Sequence, residues 1–394
     1  MRVGSTLHRI ALCMHGASTL DEHEPRLTIP MSDDPNKQTL RPLTFAARRA
    51  TITDVAREAG TGKTSISRYL NGETGVLSPE LRERIEAAIA KLDYRPNQMA
   101  RGLKRGRNRL IGMLLADLTN PYSVEVLQGV EAACHALGYM PLICHAANEV
   151  DMERRYLQLL TTYRVEGVIV NALGVKEELL QGFTQGGIPV VLVDRTVEGI
   201  VTDMVGLDNP AAVALATRHL VDEGFDELVF IVQPVTHVSS RRLREAAFRE
   251  TVAALDTNGS TLVLDLADAA SALAEMDRRV EAARVSGKRV ALFAANGPVA
   301  LRVAVHLKER HGPDWQASVA LLAIDDSEWA ELAGMTAVRQ PTYDIGRRAV
   351  EFLHERLGGA LMPARECLLP GELVVRSSTQ CSAGIRPQPA SHGL

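Results

Sequence analysis

Beyond Arg109 the chain settles into one rhythm: short, continuously apolar runs separated by longer helical stretches. The runs are LIGMLLA (110–116), MPLICHA (140–146), GVIVN (167–171), PVVLVD (189–194), DMVGL (203–207), ELVFIV (227–232), TLVLDL (261–266), RVALFAA (289–295) and VALLAI (319–324). Between them stand patterns such as VEVLQGVEAACHALG and RRYLQLLTTYR, apolar at helical spacing. A strand that is apolar on both faces must be covered on both faces, so this alternation builds parallel sheets sandwiched by helices. Nine strands are many for one such sheet, and two smaller α/β lobes are expected. In sheets of this kind ligands bind beyond the carboxyl ends of the strands, and between the lobes where there are two.

Residues 51–96 keep a different rhythm. Thr51-x-x-Asp54 opens a first helix with a capping-box pattern, and Gly60 ends it. Thr61 is the expected cap of a second helix running to about Leu70, with Ile66 and Leu70 on its inner face. Ser78-Pro79 opens a third, whose apolar stripe is Leu81, Ile85, Ile89 and Leu92. Two short helices joined by a tight Ala-Gly-Thr turn and braced by a third make an all-α helix-turn-helix, a DNA-binding unit. The triplet Gly62-Lys63-Thr64 spells the end of a nucleotide-binding P-loop. The glycine required five positions earlier is Arg57, however, and the preceding segment is helical rather than a strand. Lys63 and Thr64 instead open the recognition helix, sharing its outer face with Ser67 and Arg68.

Charge supports this reading. Net charge is −4, yet residues 51–108 carry 11 Lys/Arg against 7 Asp/Glu, and 95–109 holds six basic residues and no acidic one. A basic run beside a helix-turn-helix points to nucleic acid. Other classes find little support. No run approaches the ~18 apolar residues of a membrane span. HRIALCMHGAS is a poor export signal, so a cytoplasmic protein with no membrane partner is expected. Cys13, Cys134, Cys144, Cys367 and Cys381 are odd in number and scattered, which fits reduced thiols and no metal site. There is no G-x-S-x-G, and neither His23-Glu24 nor His354-Glu355 has the second histidine of a zinc-protease helix. No catalytic residue and no cofactor is expected.

From Thr51 to about residue 378 the chain resembles the lactose-repressor (LacI) family of bacterial transcription regulators. The matching pieces are TITDVAREAGTGKTSISRYLNG, LDYRPNQMARGLKRGR, RLIGMLLADLTNPYSVEVLQGVEAACHALGY, EGVIVN, IPVVLVDR, VGLDN, AIDDSEWA and VRQPTYDIGRRAVEFL, in family order and spacing. Among subgroups, MARGLKRGR, NPYSVEV and VSSRRLREAAF look most like regulators of 2-ketogluconate use. The resemblance implies a periplasmic-binding-protein-like core (109–378) of two discontinuous lobes, with crossovers near Asn209-Pro210, near Gln340-Pro341 and after about Leu357. It implies a homodimer on a near-palindromic operator in double-stranded DNA. The end, TQCSAGIRPQPASHGL, lacks the apolar heptads of tetrameric members. Residues 379–394 are read as a flexible tail. Residues 1–50 are read as a disordered or mis-annotated extension, with Met31 an alternative start.

The same resemblance assigns residues. For DNA it maps base contacts to Lys63, Thr64 and Arg68, and phosphate contacts to Thr61 and Ser67. Residues 97–108 become a hinge, in which Asn97 to Leu103 fold on the operator, Leu103 wedges into the central base step and Met99 pairs the two hinges. Gly62 departs from the hydroxyl residue common at its position. For the effector it maps Tyr122, Ser123, Asn171 and Asp194-Arg195 in one lobe, and Arg244, Asn296 and Asp325 in the other. Arg195 and Arg244, with Arg242 and Ser240, are the expected carboxylate grip, which favours a small sugar-acid effector over a neutral sugar. A regulator responding to another sugar acid or a neutral sugar, and a solute-binding protein of a sugar transporter, are the alternatives.

Overall fold

The structure, a computed structural model, describes residues 49–95, 107–171, 173–236 and 238–380. Expectations for residues 1–48, for the hinge residues Asn97, Met99 and Leu103, and for 381–394 lie outside the described residues. The chain divides into two compact units, one ending at Arg95 and the other beginning at Pro96.

The first unit is helical: α1 (Ile52–Glu58), α2 (Lys63–Leu70) and α3 (Pro79–Lys91). Thr51 and Asp54 form a reciprocal capping box on α1, satisfying two backbone N–H groups that the helix cannot. The turn into α2 passes through Gly60 at φ +60, a conformation costly for any residue with a Cβ. Arg84 of α3 donates to the carbonyls of Ala59 and Gly60, bracing that turn from outside. Val55, Ala56, Ile66, Leu77, Ile85 and Ala88 form the small core. Thr61 does not cap α2. Its N–H closes the turn to Ala56 O, and the extended residue before the helix is Gly62, which has no side chain to offer.

The second unit holds two six-stranded sheets. In chain order its elements are β1 (Leu110–Leu115), α4 (Pro121–Leu137), β2 (Met140–His145), α5 (Val150–Thr162), β3 (Gly167–Asn171), α6 (Glu177–Gln185), β4 (Val190–Val193) and β5 (Asp203–Leu207). Next come α7 (Asn209–Asp222), β6 (Glu227–Val232), α8 (Ser239–Ala254), β7 (Asn258–Val263), α9 (Ala270–Val285), β8 (Val290–Ala294), α10 (Gly297–His311) and β9 (Ala320–Ile324). The last are α11 (Glu328–Leu332), β10 (Thr336–Arg339), α12 (Thr342–Leu357), β11 (Glu366–Leu369) and β12 (Glu372–Val374). The sheet orders are β11-β5-β4-β3-β1-β2 and β12-β10-β9-β8-β6-β7, parallel except where β12 runs against β10. Alternate residues serve opposite faces: Ile111, Met113 and Leu115 of β1 join one core layer, Leu110 and Leu114 the other.

Both lobes are therefore discontinuous. The chain leaves the first sheet after β5, returns with α12 after Gln340-Pro341, and leaves again between β11 and β12. That last crossover falls at Pro370-Gly371, some way beyond Leu357, because β11 pairs with β5 and completes the first sheet before the chain departs. α4 and α12 pack on each other through two glycines: a Cβ on Gly129 would lie 2.0 Å from Tyr343 O, and one on Gly346 would lie 2.0 Å from Val126 O. Ser378 and Thr379 are buried against the second lobe, so the ordered core extends one residue past its expected end.

Strand 261–266 is displaced. β7 starts at Asn258 and ends at Val263, in register with Glu227 to Val232 of β6. It is an edge strand, and its polar start, Asn-Gly-Ser, is invisible to a search for apolar runs.

Candidate functional site

In the helix-turn-helix, Lys63, Thr64 and Arg68 are exposed on α2 while Ile66 is buried beneath them; Ser67 and Thr61 are half-buried. The outer face of α2 thus carries two cations and hydroxyl donors, and its first turn has no acidic residue to repel a phosphate. Gly62-Lys63-Thr64 lies between two helices rather than after a strand, so a P-loop is excluded by architecture.

In the second unit the expected effector residues stand at the carboxyl ends of strands, where the two lobes face each other. Tyr122 and Ser123 lie in the first turn of α4, which Asn120 caps. Asn171 ends β3, and Asp194-Arg195 follows β4. From the other lobe come Ser240 and Arg244 of α8, Asn296 before α10 and Asp325 after β9. Two hydrogen bonds tie the loop after β4 to the first turn of α8: Thr196 N donates to Ser239 Oγ (2.9 Å), and Ser240 Oγ donates to Asp194 Oδ2 (3.3 Å). Asp194 is held at φ +66, in the left-handed region that aspartate tolerates better than most residues.

The bonding state of these groups separates them into two kinds. Asn296 is committed: its Oδ1 caps α10 at Val299 N and its Nδ2 donates to Gln233. Asp325 accepts from Gln340 Nε2 (2.5 Å) and Gly297 N (2.8 Å). Asn171 donates to Val193 O, and Ser123 is buried in α4. Arg244 donates through Nε to Asn209 Oδ1 (2.6 Å) and through Nη1 to Ala295 O (2.7 Å). The Tyr122 hydroxyl, Asp194 Oδ1 and Arg195 Nε and Nη1 are buried without a hydrogen-bond partner, and so are Ser327 Oγ and Gln340 Oε1. Arg195 Nε does lie 3.4 Å from Asp194 Oδ2, an ion pair without hydrogen-bond geometry. Among the described residues these are six of the seven orphaned buried side-chain atoms, the seventh being His145 Nε2. Buried polar groups are normally paired; of these, Tyr122, Ser327 and Gln340 line the cavity between the lobes, and Asp194 and Arg195 do not.

Tyr122 sits among charges from both lobes. Burial, then the negative charge of Asp194, pushes its hydroxyl well above the ordinary range, against the opposing pull of Arg244 and Arg195. It stays neutral and able to donate. Beside it lies a cavity of about 550 Å³, lined by Tyr122, Leu266, Pro298, Trp329, Asp325 and Gln340 among others. That size suits one sugar-like molecule.

Arg242 does not join the site; it is exposed on the outer face of α8. Its neighbour Arg241 is half-buried and donates from Nη1 to Pro234 O (3.0 Å). Burial, then the positive charge of Arg195, depresses the Arg241 guanidinium to about 10, with Asp194, Arg244 and Asp265 also acting on it. Helical spacing held the clue, since Ser240, Arg241 and Arg244 share a face that Arg242 leaves. Gln340 was also missed as a site residue, although its place at a crossover was marked.

The comparisons with known proteins agree with this geometry. Residues 51–97 match the model of bacterial regulatory proteins, lacI family, and 108–282 match periplasmic binding proteins and sugar binding domain of LacI family. The chain is 43% identical to the HTH-type transcriptional regulator PtxS of Pseudomonas aeruginosa PAO1, over 84% of this chain and 96% of that protein. It belongs to the lacI family of bacterial regulatory proteins. Another lacI-family relative is the HTH-type transcriptional regulator KdgR of Bacillus subtilis 168, 33% identical over 83% of this chain and 97% of that one. The fold matches that of the lac repressor dimer bound to operator and the anti-inducer ONPF, with TM-score 0.72 and 22% identity, covering 85% of this chain and 100% of that one. The protein is thus a DNA-binding transcription regulator and not an enzyme, and the solute-binding alternative falls with the match over 51–97. No helix among the described residues is long and apolar enough to cross a membrane.

Proposed function

We propose that this lacI-family regulator is a cytoplasmic homodimeric repressor, released from a near-palindromic operator when a small sugar acid such as 2-ketogluconate binds between the lobes of its core. The observation that carries the reading is the set of orphaned polar atoms on Tyr122, Ser327 and Gln340, which line the inter-lobe cavity, and on Asp194 and Arg195, whose charges act on Tyr122 from behind that lining. A neutral sugar would leave buried guanidinium N–H groups facing hydroxyls alone. A carboxylate offers them the charge-assisted, two-pronged bond that arginine is shaped for. Asp194 then accepts from sugar hydroxyls, and the Tyr122 and Trp329 rings supply apolar faces.

On DNA, Lys63, Thr64 and Arg68 read bases while Thr61 and Ser67 hold phosphates, one α2 entering each half-site. The hinge residues Asn97, Met99 and Leu103 complete the contact. Effector and operator are linked only if the DNA-binding form and the released form hold the effector with different affinity. A tenfold loss of operator affinity needs a difference of about 1.4 kcal/mol.

The test starts from a random duplex library, from which the full-length protein selects its operator. Fluorescence anisotropy then follows release as 2-ketogluconate is added. A saturable fall in operator affinity supports the proposal. No change, or tighter binding, refutes an inducer role for that acid.

A further inference from the structure

Arg107, Asn108 and Arg109 are the first described residues after the segment that joins the DNA-binding unit to the core. Each donates a side-chain hydrogen bond at the carboxyl end of a different helix of the first lobe. Arg107 Nη2 reaches Leu357 O at the end of α12 (3.1 Å). Asn108 Nδ2 donates to Tyr163 O (3.3 Å) and Arg164 O (2.8 Å), just past the end of α5, while its Oδ1 accepts from Leu110 N. Arg109 Nη1 reaches Leu137 O at the end of α4 (2.9 Å), and its backbone N–H donates to Glu166 Oε1 (2.5 Å). The last carbonyls of a helix have no partner within it and carry the negative end of its dipole, so two guanidiniums and an amide suit them. Arg109 also sits at φ +58, a left-handed conformation that a long side chain adopts only where its surroundings impose it.

Two of these helices begin at the cavity between the lobes. Tyr122 stands in the first turn of α4, Thr342 begins α12, and both line the cavity. Each helix is about 25 Å long at its ordinary rise per residue. The two meet backbone to backbone at Gly129 and Gly346, where no Cβ fits, so they move as a pair. A shift of their first turns at the cavity is carried to the carbonyls that Arg107 and Arg109 hold.

Resting on the sugar-acid reading for its trigger, but on none of the effector contacts, we infer that Arg107, Asn108 and Arg109 are positioning residues. They clamp the start of the core to the far ends of α12, α5 and α4, and through this clamp the effector site governs operator affinity. Without it, effector and operator each still bind, but neither changes the other's affinity.

The experiment follows operator binding of the full-length protein by fluorescence anisotropy, with and without saturating 2-ketogluconate. Calorimetry gives the affinity of the DNA-free protein for 2-ketogluconate, and each ligand-free variant is melted. Arg107→Ala, Asn108→Ala and Arg109→Gly are made singly and together, beside Arg109→Lys. Glycine keeps the left-handed backbone at 109 without strain and removes only the side chain. Arg154→Ala, which removes an exposed cation paired with Asp151 near the start of α5, is the control for charge. The combined variant is expected to shrink the effector-induced change in operator affinity at least about fivefold while holding 2-ketogluconate within about threefold of the unaltered chain. Arg109→Lys is expected to keep more of that change than Arg109→Gly, and Arg154→Ala to keep all of it. If the combined variant melts far below the unaltered chain, the single variants decide by the same ratio. Should the variants keep the change within about twofold of the unaltered chain, or Arg154→Ala shrink it as much, the clamp is overturned and the sugar-acid reading survives. If operator binding by the unaltered protein ignores 2-ketogluconate, the reading itself falls, and this inference with it.

Discussion

Arg244 illustrates how much a residue's role depends on what its atoms already hold. Its two short bonds satisfy Asn209 at the first crossover and Ala295 at the end of β8, both inside the second lobe. Arg244→Ala would leave both acceptors buried and unmet, at about 1–3 kcal/mol each. A loss of about 3 kcal/mol is therefore expected, read from the shift of the urea midpoint at constant slope. Arg68, exposed on α2, has the opposite character. Arg68→Ala is expected to cost about 1–3 kcal/mol of operator binding and to relax preference at one base position, with stability unchanged. Retained discrimination against operators altered at every position would remove it from the base-reading set. The family resemblance maps Arg244, Asn296 and Asp325 by position, and so names residue types without their bonding state. It could not say which of two adjacent arginines faces inward, since that depends on the rotation of α8 against Asp194. Nor could it show that Asn296 is consumed in capping α10, because a cap and a ligand contact call for the same side chain.

At the scale of elements, legibility followed burial. Strands apolar on both faces, such as GVIVN and VALLAI, were found within a residue or so of their observed bounds because only a doubly covered sheet explains them. β10, β11 and β12 escaped: each has four residues or fewer, and β11 and β12 are edge strands with mixed exposure. They carry much of the architecture nonetheless, since β11 and β12 lock the chain end into both sheets. The glycines of α4 and α12 were equally silent in the sequence, where a mid-helix glycine reads only as a weak position. Gly129→Ala would drive a Cβ into the Tyr343 carbonyl, a backbone atom that moves only with its helix. The expected cost is about 3 kcal/mol, at the upper end of ordinary overpacking, measured by chemical denaturation. An unchanged midpoint would mean that the helices slide apart without penalty.

For the whole molecule, the end of the described chain is stitched to the second lobe. Thr379 Oγ1 meets His219 Nε2 at 2.8 Å and Thr336 Oγ1 at 2.7 Å, and Arg376 pairs with Asp326. Burial holds the His219 pKa below the ordinary histidine range, although Glu223 and Asp222 pull the other way. The folded state thus resists a proton that the unfolded chain accepts near pH 6.5. The stabilisation is complete above that pH and drains away as pH falls through it. Melting temperature is expected to drop between pH 7.5 and 5.5, and to drop less in His219→Gln. An equal drop in both would shift the cause to other groups. Asp203 adds a second, more acidic window. Burial opposes its ionisation, but the bonds from Arg356 and Arg365 win and hold its carboxyl far below the usual range. That stabilisation is present above the unfolded carboxylate pKa near 3.9 and is lost only at lower pH.

The central claim is that this regulator answers to a sugar acid held between its lobes. The most direct measurement is a thermal-shift series on the full-length protein with 2-ketogluconate, gluconate, glucose, ribose and galactose. A ligand at a hundred times its dissociation constant adds about 2.7 kcal/mol, an easily visible rise. The account predicts a rise with 2-ketogluconate and none with the neutral sugars. A rise with a neutral sugar alone would keep the regulator and contradict the acid-binding site.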